Sequence, residues 1–443
     1  MKVAVIGAGP SGLAAANELT SNGVGVDVFE NEQTVGGLAK CINLWGEQVE
    51  MGPHFLLLHT QNAVKTLLEN ILGDDVYKYN RLSRIYLNGK YYDYPPKPFN
   101  IIKNMGSVKT MAAAGSAMVE MMVPTKNNGT VESYVQSSIG NYLYENFFKG
   151  YTEKLWGIPC NSITEEYAKS LIGFDKLSVG SIAKKIFADK NAAHHKQCIY
   201  PKEGMGMIWQ RLSQKVQQQG GNILLNTSVK GAVMQGKRIA GLVMPDGTER
   251  LYDYVFSSVP EAAILRLMPD VPATLVNELK QIKFRRVILV YMQVDPINLI
   301  TDNTVYIYST QVKAARITNY NRFKNLEGNH IIMCEYWTSD TENMWTMSDD
   351  EMLALALNDV KIFSGAEKLR VKNHHVLHMK NAYPVPDLKL SERKNMLSDF
   401  MKTFEGFSAV GRANQKLFNF SMESAMMDGI TEARNIMQGT TQS

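Results

Sequence analysis

The stretch that decides the fold is VAVIGAGPSGLAAANEL, residues 3–19. Residues 2–6 are a short apolar run rich in β-branched side chains, which predicts a buried strand. Gly7, Gly9 and Gly12 follow at once in a GxGxxG pattern, and the alanine-rich segment behind them predicts a helix. A strand, a glycine-rich turn and a helix in this order predict an α/β fold that begins with a parallel sheet.

Each glycine of this turn has its own physical reason. Gly7 permits the tight turn, Gly9 leaves out a side chain where a pyrophosphate approaches the backbone, and Gly12 lets the helix pack on the strand. The phosphates then lie at the helix N-terminus, where unpaired N–H groups and the helix dipole favour negative charge. The pattern therefore predicts a dinucleotide-binding turn.

An acidic residue narrows the choice of dinucleotide. The second predicted strand, GVDVFE, ends at Glu30, which lies 18 residues after Gly12. A carboxylate at this place can accept hydrogen bonds from both hydroxyls of an adenosine ribose. Because Glu30 is acidic rather than basic, a cofactor with a 2′-phosphate is disfavoured.

A pair of glycines after Glu30 indicates which cofactor is bound. The stretch ENEQTVGGLAK, residues 30–40, places Gly36 and Gly37 just after the acidic residue. It resembles the second signature of flavoproteins in the amine-oxidase and protoporphyrinogen-oxidase group. In that group the paired glycines lie beside the ribityl chain and pyrophosphate of FAD. The resemblance implies FAD as a cofactor that is retained through turnover.

The C-terminal segment resembles the same group. A strand-like piece ends at Gly411 and Arg412, and a helix is predicted from about Ser421 onward. In these flavoproteins a C-terminal strand, a glycine and a helix N-terminus return to the cofactor. The resemblance implies that the start of the helix faces the flavin pyrimidine ring, where its dipole would stabilise negative charge. The residues of this first turn are Met422, Glu423 and Ser424.

Because both ends of the chain carry cofactor motifs, they are predicted to belong to one domain. Residues between them add a helix, a hairpin around PDGTE and a buried strand. The sequence thus predicts an α/β protein with a Rossmann-like FAD-binding domain formed by residues 1–80, 199–260 and 385–443. A second, mixed α+β substrate domain is predicted for residues 81–198 and 261–384.

Three further stretches are similar to segments of UDP-galactopyranose mutases and related bacterial flavoproteins. They are NYLYENFFKGYTEKLWGIPCNSIT (141–164), EMGPHFLLLHTQN (50–62) and YYDYPPKPFNI (91–101). In those enzymes the corresponding segments are an aromatic and basic helix with a Trp-Gly turn, a flavin-facing loop and a proline-rich loop on the substrate side. The resemblance implies a small-molecule substrate, a nucleotide sugar.

Candidate substrate contacts lie in these segments and in later ones. Lys149, Lys154 and Arg316 can neutralise a diphosphate, with solvated surface charge as the alternative. Trp156 can stack on a nucleobase, with core packing as the alternative. Tyr151 and Tyr383 are further candidates.

Two expectations concern catalysis and charge. His54 can donate a hydrogen bond or carry a proton beside the flavin, with a structural histidine as the alternative. The mutases use a pair of arginines to hold the diphosphate. Arg316 is one plausible member of such a pair here, and no motif selects the second from Arg81, Arg84, Arg285 and Arg286.

The function predicted from these residues is that of an FAD-dependent oxidoreductase acting on a nucleotide-linked sugar, in polysaccharide biosynthesis. The alternative is a redox-neutral ring isomerase of the mutase type that uses reduced FAD. A flavin-bearing binding protein without turnover is a third class, which the aromatic and basic stretches disfavour.

Composition sets the remaining expectations. With 47 Lys and Arg against 43 Asp and Glu, the net charge of +4 does not favour nucleic acid as a partner. The four cysteines have no metal-ligand or disulfide spacing, which favours a cytoplasmic protein without a metal site. Residues 101–124 are apolar, but charged residues interrupt them, so a buried or surface helix is favoured over a membrane-touching one. A homodimer is compatible with the sequence.

Overall fold

The computed structural model describes residues 1–57, 63–94, 96, 98–172, 197–295, 300–324, 330–365, 369–413 and 421–440. The chain forms two compact units. The first contains Met1–Lys78, Cys198–Ile282 and Ser391–Ser443, and the second contains Tyr79–Gln197 and Lys283–Leu390. The predicted boundaries differ most at residues 261–282, which lie in the first unit. Assigning the cofactor and the substrate to separate units stays a prediction.

The strands, in chain order, are β1 (Lys2–Ile6), β2 (Gly25–Phe29), β3 (Cys41–Leu44), β4 (Glu47–Glu50), β5 (Leu56–Leu57), β6 (Val76–Asn80), β7 (Ser83–Leu87), β8 (Lys90–Asp93), β9 (Gln197–Pro201), β10 (Asn222–Leu224), β11 (Gly231–Gln235), β12 (Arg238–Val243), β13 (Glu249–Leu251), β14 (Tyr254–Ser257), β15 (Phe284–Val294), β16 (Thr304–Ile307), β17 (Arg316–Asn319), β18 (His330–Thr338), β19 (Val371–Pro384) and β20 (Phe407–Ala409).

The α-helices are α1 (Pro10–Ser21), α2 (Ala63–Leu72), α3 (Pro98–Met105), α4 (Ser107–Met122), α5 (Val131–Ile139), α6 (Asn141–Leu143), α7 (Lys149–Trp156), α8 (Glu165–Ile172), α9 (Gly206–Gln218), α10 (Glu261–Leu267), α11 (Ala273–Lys280), α12 (Asp349–Ser364), α13 (Leu390–Met401) and α14 (Met422–Thr440). A π-helical turn, Tyr144–Phe148, joins α6 to α7. Among the described helices, none has the length and apolar character needed to span a bilayer.

The first unit is built on a parallel sheet with the strand order β10-β2-β1-β14-β20. The central strand β1 is buried after its first residue, as expected for a parallel strand covered on both faces. The predicted hairpin is present as β12 and β13, joined through the PDGT turn. The α/β fold and the order strand, turn and helix at the N-terminus are confirmed.

The second unit contains a mainly antiparallel sheet with the order β19-β15-β18-β17-β16-β7-β8, in which β16 and β7 are parallel. Alternate residues of these strands point to opposite faces. One face carries the apolar side chains Ile288, Ile317 and Cys334, which form a core with residues of α12 such as Met352. The opposite face carries polar and aromatic side chains such as Arg316, Glu335 and Tyr306 among apolar ones such as Leu289 and Met333. This asymmetry singles out the second face as a place for a ligand.

Candidate functional site

The glycine-rich turn after β1 is held closely by its own backbone. Gly7 has a φ of +98°, and a Cβ there would lie 2.5 Å from Ser258 Oγ. A Cβ on Gly12 would lie 2.0 Å from the carbonyl oxygen of Gly7, so the first turn of α1 packs on the strand end with no room for a side chain. Gly9 differs, because a Cβ there would meet no atom within 4 Å. The open space in this turn is therefore at Gly9, where the motif expects a pyrophosphate.

The predicted ribose acceptor is tied to the same turn. Glu30 is buried directly after β2. Its Oε2 accepts a hydrogen bond from the N–H of Ala8 at 2.8 Å, and its Oε1 accepts one from the N–H of Glu32 at 2.9 Å. Each carboxylate oxygen can accept a further hydrogen bond. Glu30 thus holds the turn in place while it keeps acceptor capacity for a ribose.

Gly36 and Gly37 lie against the glycine-rich turn that follows β1. The N–H of Gly36 donates to the carbonyl oxygen of Ala8 at 2.8 Å. Gly36 has a φ of +111°, and a Cβ there would come within 2.7 Å of Trp209 Cδ1. A Cβ on Gly37 would lie 3.4 Å from the Cα of Gly9. The two glycine segments form one cradle of backbone atoms, and side chains on them would narrow it.

The C-terminal segment also reaches this turn. A Cβ on Gly411 would lie 2.4 Å from Ser11 Oγ, and a Cβ on Gly429 would lie 2.2 Å from the Ser11 carbonyl oxygen. The N–H of Gly411 donates to Asp428 Oδ2 at 2.5 Å. Helix α14 therefore packs closely on the start of α1. The carbonyl of Arg412 accepts a hydrogen bond from Lys394 Nζ.

The start of α14 is capped by a serine. Ser421 Oγ accepts a hydrogen bond from the N–H of Ser424 at 3.1 Å, which is the usual N-cap arrangement. Met422 is buried, and Glu423 and Ser424 are half-buried. His54 lies between β4 and β5 and is half-buried. Contacts of these residues with a flavin stay predictions.

In the second unit, three side chains lie in register across three strands. Arg316 on β17 is opposite Tyr306 on β16 and Glu335 on β18. Directly paired residues share one face of a sheet, and this is the face opposite the apolar core. Thr318, two residues along β17, continues the same polar row. The row could not be read from the sequence alone, because it depends on the register between strands.

Arg316 and Glu335 form a buried ion pair. Arg316 Nη2 lies 2.6 Å from Glu335 Oε1, and the same oxygen accepts a hydrogen bond from Trp337 Nε1 at 2.5 Å. Burial opposes the charge of Arg316, yet Glu335 raises the pKa of the guanidinium above its usual value. Glu335 Oε2 and Thr318 Oγ1 are both buried, and they have no hydrogen-bond partner in the described part of the chain. Buried polar atoms of this kind call for a polar ligand or water.

One stacked tyrosine pair includes Tyr306 of this row, and a second includes Tyr308, two residues further along. The rings of Tyr94 and Tyr306 are 3.8 Å apart at 8°, and those of Tyr151 and Tyr308 are 4.0 Å apart at 14°. Tyr306 and burial raise the pKa of Tyr94, and burial raises the pKa of Tyr151. The phenols thus stay neutral and can donate hydrogen bonds at neutral pH. Tyr151 was predicted, whereas Tyr94, Tyr306 and Tyr308 were missed. In TVYIYST, Tyr306 and Tyr308 alternate with Ile307, which is the pattern of a strand with one polar and one apolar face.

One of the other arginine candidates lies beside the stacked pair of Tyr94 and Tyr306. Arg81 Nη2 lies 3.4 Å from the hydroxyl of Tyr306, and its guanidinium carbon is 5.6 Å from the centre of the Tyr94 ring. Among the other candidates, Arg84 pairs with Asp302, Arg285 with Glu342 and Arg286 with Asp340, just as Arg316 pairs with Glu335. Arg81 contacts both rings of the tyrosine pair, and its role toward a diphosphate stays a prediction.

Trp156 follows the core alternative rather than open stacking. Only 3% of it is exposed, and its ring packs edge-on against Tyr167 and Trp337. Tyr383 stacks on the other large ring of this group, Trp337, at 4.5 Å. The expectation that Trp156 offers a free face to a nucleobase is therefore corrected, because other aromatic rings already surround it.

The two predicted lysines are not at the polar face. Lys154 Nζ lies within 2.9 Å of the carbonyl oxygens of Ile307, Ser309 and Val312 and 3.4 Å from that of Ala314, so its amino group holds one backbone segment together. Burial lowers the pKa of Lys154 to about 7. Lys149 is partly exposed and pairs with Glu145 one helical turn earlier. Lys154 thus follows the structural alternative, and a contact of Lys149 with a diphosphate stays a prediction.

The comparison with known families agrees with this cradle. A family model described as flavin-containing amine oxidoreductase matches residues 10–437. The chain belongs to this family. The family and its solved relatives are FAD enzymes, so the protein is a flavoenzyme with FAD as its cofactor. The flavoprotein fold, the cofactor and the enzymatic nature predicted from the sequence are confirmed.

Solved structures share the fold across the whole chain. A reduced UDP-galactopyranose mutase superposes with a TM-score of 0.81 at 17% identity, covering 99% of this chain and 95% of the mutase. An oxidoreductase from Methanosarcina mazei gives a TM-score of 0.68 at 16% identity, with coverages of 98% and 100%. Putrescine oxidase bound to putrescine gives 0.69 at 16% identity, with both coverages at 99%. At these identities the likeness shows the fold.

Curated relatives match a part of the chain. A 4,4'-diapophytoene desaturase from Staphylococcus aureus strain COL is 25% identical over 303 residues, which is 61% of this chain. The match covers 57% of the length of that enzyme. The family thus supports an oxidoreductase of the flavin amine oxidase type acting on a small molecule.

Proposed function

We propose that this flavoenzyme oxidises a sugar that carries a nucleoside diphosphate, in the synthesis of polysaccharide. The observation that carries the proposal is the polar face of the second unit. There Arg316 is paired with Tyr306 across two strands, and Arg81 contacts the hydroxyl of Tyr306 and the ring of Tyr94, which stacks on Tyr306. Guanidinium groups bind diphosphate oxygens through paired N–H donors, and phenol groups suit the hydroxyls of a sugar.

The buried polar atoms on this face disfavour a purely apolar substrate. Such a substrate would leave Glu335 Oε2 and Thr318 Oγ1 without partners in a place that water reaches poorly. An unsatisfied buried acceptor or donor costs about 1 to 3 kcal/mol. Sugar hydroxyls can donate to the carboxylate and accept from the threonine. A substrate with hydroxyl groups therefore fits the face better.

The cofactor fits the cradle of the first unit. Glu30 would bind the ribose, the backbone at Gly9 and the N-terminus of α1 would receive the pyrophosphate, and Gly36 and Gly37 would lie along the ribityl side. When bound, FAD supplies the capacity to accept a hydride from a carbon that bears oxygen or nitrogen.

The remaining work is done by side chains of the second unit. Glu335 orients Arg316 through Oε1 and offers Oε2 to a substrate hydroxyl. Lys154 fixes the backbone on both sides of Tyr308 by holding the carbonyls of Ile307 and Ser309. Rigid placement of this kind is what brings a reacting C–H bond to a productive distance.

The test is a titration of purified enzyme with UDP- and dTDP-sugars, in the oxidised form and after reduction with dithionite. We expect one sugar to bleach the visible band of the oxidised enzyme with one equivalent of oxidised sugar formed. Product formed only by the reduced enzyme, without net oxidation, would instead establish the ring isomerase. Absence of binding by any nucleotide sugar in either form would exclude both.

A pair of variants links the result to the polar face. Arg316→Lys and Arg81→Met should raise the Kd of the nucleotide sugar by about tenfold to a hundredfold, because the first removes the paired N–H donors of a guanidinium while keeping the charge and the second removes the charge as well. Arg370→Met is the matched control, since its side chain is 83% exposed in the same unit. Equal affinity in all three variants would place the diphosphate elsewhere.

A further inference from the structure

Helix α4 exposes an unusual amount of apolar surface. Of the fourteen large hydrophobic residues exposed in the described part of the chain, seven lie between positions 108 and 123. They are Val108, Met111, Met118, Val119, Met121, Met122 and Val123. Single exposed hydrophobic residues are ordinary, but a contiguous patch of this kind marks an interaction surface.

The helix packs on the protein through its small residues. Ala113 is the buried residue of α4. Ser116 Oγ accepts a hydrogen bond from the N–H of Tyr142 at 2.9 Å, and the nitrogen of Ala117 lies 3.0 Å from the place where a Cβ of Gly140 would be. An amphipathic helix normally turns its large apolar side chains to the core. In α4 this arrangement is reversed, so the large side chains have another partner.

The outward residues form one stripe along the helix. Val108, Met111, Met118, Val119 and Met122 are spaced by three, seven, one and three positions, which places them within one face at 3.6 residues per turn. Ala112 and Gly115 fill the same face and are also exposed. No charged residue falls on this stripe, so it is uniformly apolar over the length of α4.

The charges around the stripe are basic. Lys109 lies on α4, Lys103 on the helix just before it and Lys126 four residues after its end, and all three are exposed. The carboxylate of α4 itself is Glu120, and both of its oxygens accept hydrogen bonds from Thr125, at 2.5 Å from the N–H and 2.7 Å from the hydroxyl. The acidic group is therefore held within the protein while the lysines face the solvent.

We propose that α4 docks on the surface of an anionic lipid bilayer, with the helix parallel to the membrane and the stripe inserted among the lipid chains. An apolar face with basic flanks is the arrangement of interfacial helices. Methionine is flexible and polarizable, which suits a fluid partner. Exposed lysines gain energy near a negatively charged leaflet.

A second copy of the chain fits the stripe less well. A helix of 16 residues is about 24 Å long and about 10 Å wide, so one face offers on the order of 240 Å². A stable dimer buries about 800 Å² on each partner. Pairing two copies through this stripe would also bring lysines of like charge together.

The experiment is co-sedimentation of the full chain, with FAD bound, on two kinds of vesicle: phosphatidylcholine alone, and phosphatidylcholine mixed with phosphatidylglycerol. We expect binding to the mixed vesicles that is at least tenfold stronger than to phosphatidylcholine and that weakens with added salt. The double variant Met118→Asp/Met122→Asp should lose at least tenfold of this binding. Leu251→Asp is the control, because Leu251 is 61% exposed in the other unit.

A second variant set separates charge from apolar contact. Lys103→Gln/Lys109→Gln/Lys126→Gln should remove the preference for phosphatidylglycerol while it leaves weak binding to both vesicles. Retention of the flavin spectrum and of the melting temperature shows that each variant is folded. The proposal is overturned if wild-type protein binds neither vesicle, if the methionine variant binds as wild type does, or if light scattering shows a dimer that the methionine variant dissociates.

Discussion

The cofactor cradle of the first unit and the polar face of the second unit are built in different ways. The cradle consists of backbone atoms from Gly7 to Gly12 and from Gly36 to Gly37, and glycine is required because side chains would collide or narrow it. The polar face consists of side chains from strands far apart in the sequence, among them Tyr94, Tyr306 and Glu335. A backbone-built site leaves its mark in consecutive residues, whereas a side-chain-built site is set by strand register.

The two sites also differ in their relation to stability. In the cradle, the close packing of Gly12 on the carbonyl of Gly7 shapes the ligand site and also joins β1 to α1. On the polar face, the ion pair of Arg316 and Glu335 removes two charges from water, and a buried pair of this kind adds little net stability. The fold should therefore tolerate loss of the whole pair better than loss of one glycine.

The largest effect is expected from Gly12→Val. The new Cβ would meet the carbonyl oxygen of Gly7 at 2.0 Å, and neither backbone can move without separating α1 from β1. We expect a loss of more than about 4 kcal/mol in the free energy of unfolding, or no folded protein. Chemical denaturation followed by circular dichroism measures it.

Gly115→Ala is the matched control for this change. Gly115 also lies within a helix, but a Cβ there would meet no atom within 4 Å. Replacing an exposed helical glycine by alanine should stabilise the protein by about 0.5 to 1 kcal/mol. A loss in Gly115→Ala similar to that in Gly12→Val would refute the view that the close approach is the cause.

The next effect in size is expected from Glu335→Leu, which leaves Arg316 buried without its carboxylate. We expect a loss of about 3 kcal/mol, because removing one partner of a buried pair leaves an uncompensated charge. The double variant Arg316→Met/Glu335→Leu should recover most of that loss. Urea denaturation of both variants and of Arg316→Met gives the coupling energy. If the double variant is less stable than Glu335→Leu, the ion pair stabilises the fold, and the view that a buried pair adds little net stability is wrong here.

These differences explain how far the sequence could be used for prediction. The strand, turn and helix at residues 2–21 were predicted correctly because neighbouring residues define them. Glu30, Gly36 and Gly37 could be selected as cofactor candidates for the same reason. Tyr306 and Glu335 were missed, because only the pairing of β16, β17 and β18 places them beside Arg316. Lys154 was wrongly predicted to bind a ligand because of its charge. In the structure four backbone carbonyl oxygens surround its Nζ, and no sequence pattern reveals them.

A smaller effect is expected from Gly9→Ala, which tests cofactor binding without disturbing the fold. Gly9 has an extended conformation that alanine can adopt, and its Cβ would meet no protein atom within 4 Å. The stability of the apoprotein should change by less than about 0.5 kcal/mol. The affinity for FAD should fall at least tenfold, because the methyl group occupies the place of the pyrophosphate. Fluorescence titration of apoprotein with FAD measures it, and unchanged affinity would move the phosphates away from this turn.

The smallest effect concerns Lys154, the buried lysine of the second unit. Burial and Lys313 lower its pKa, against the opposing charge of Asp359, to about 7 in the folded protein, whereas an unfolded lysine titrates near about 10.4. Between these values the unfolded chain binds more protons, so the free energy of unfolding rises with pH. Relative to Lys154→Met, the wild-type protein should gain about 1 kcal/mol between about pH 7 and about pH 8, because Lys154 loses its remaining charge in the folded protein while the unfolded lysine stays charged, and the slope is at most about 1.4 kcal/mol per pH unit. Urea denaturation across this range tests it, with Lys149→Met as the control that removes an exposed lysine. A difference that shrinks as the pH rises would mean that the carbonyl oxygens keep the ammonium charged, and the lysine would then act as a cation that fixes the segment around Tyr308.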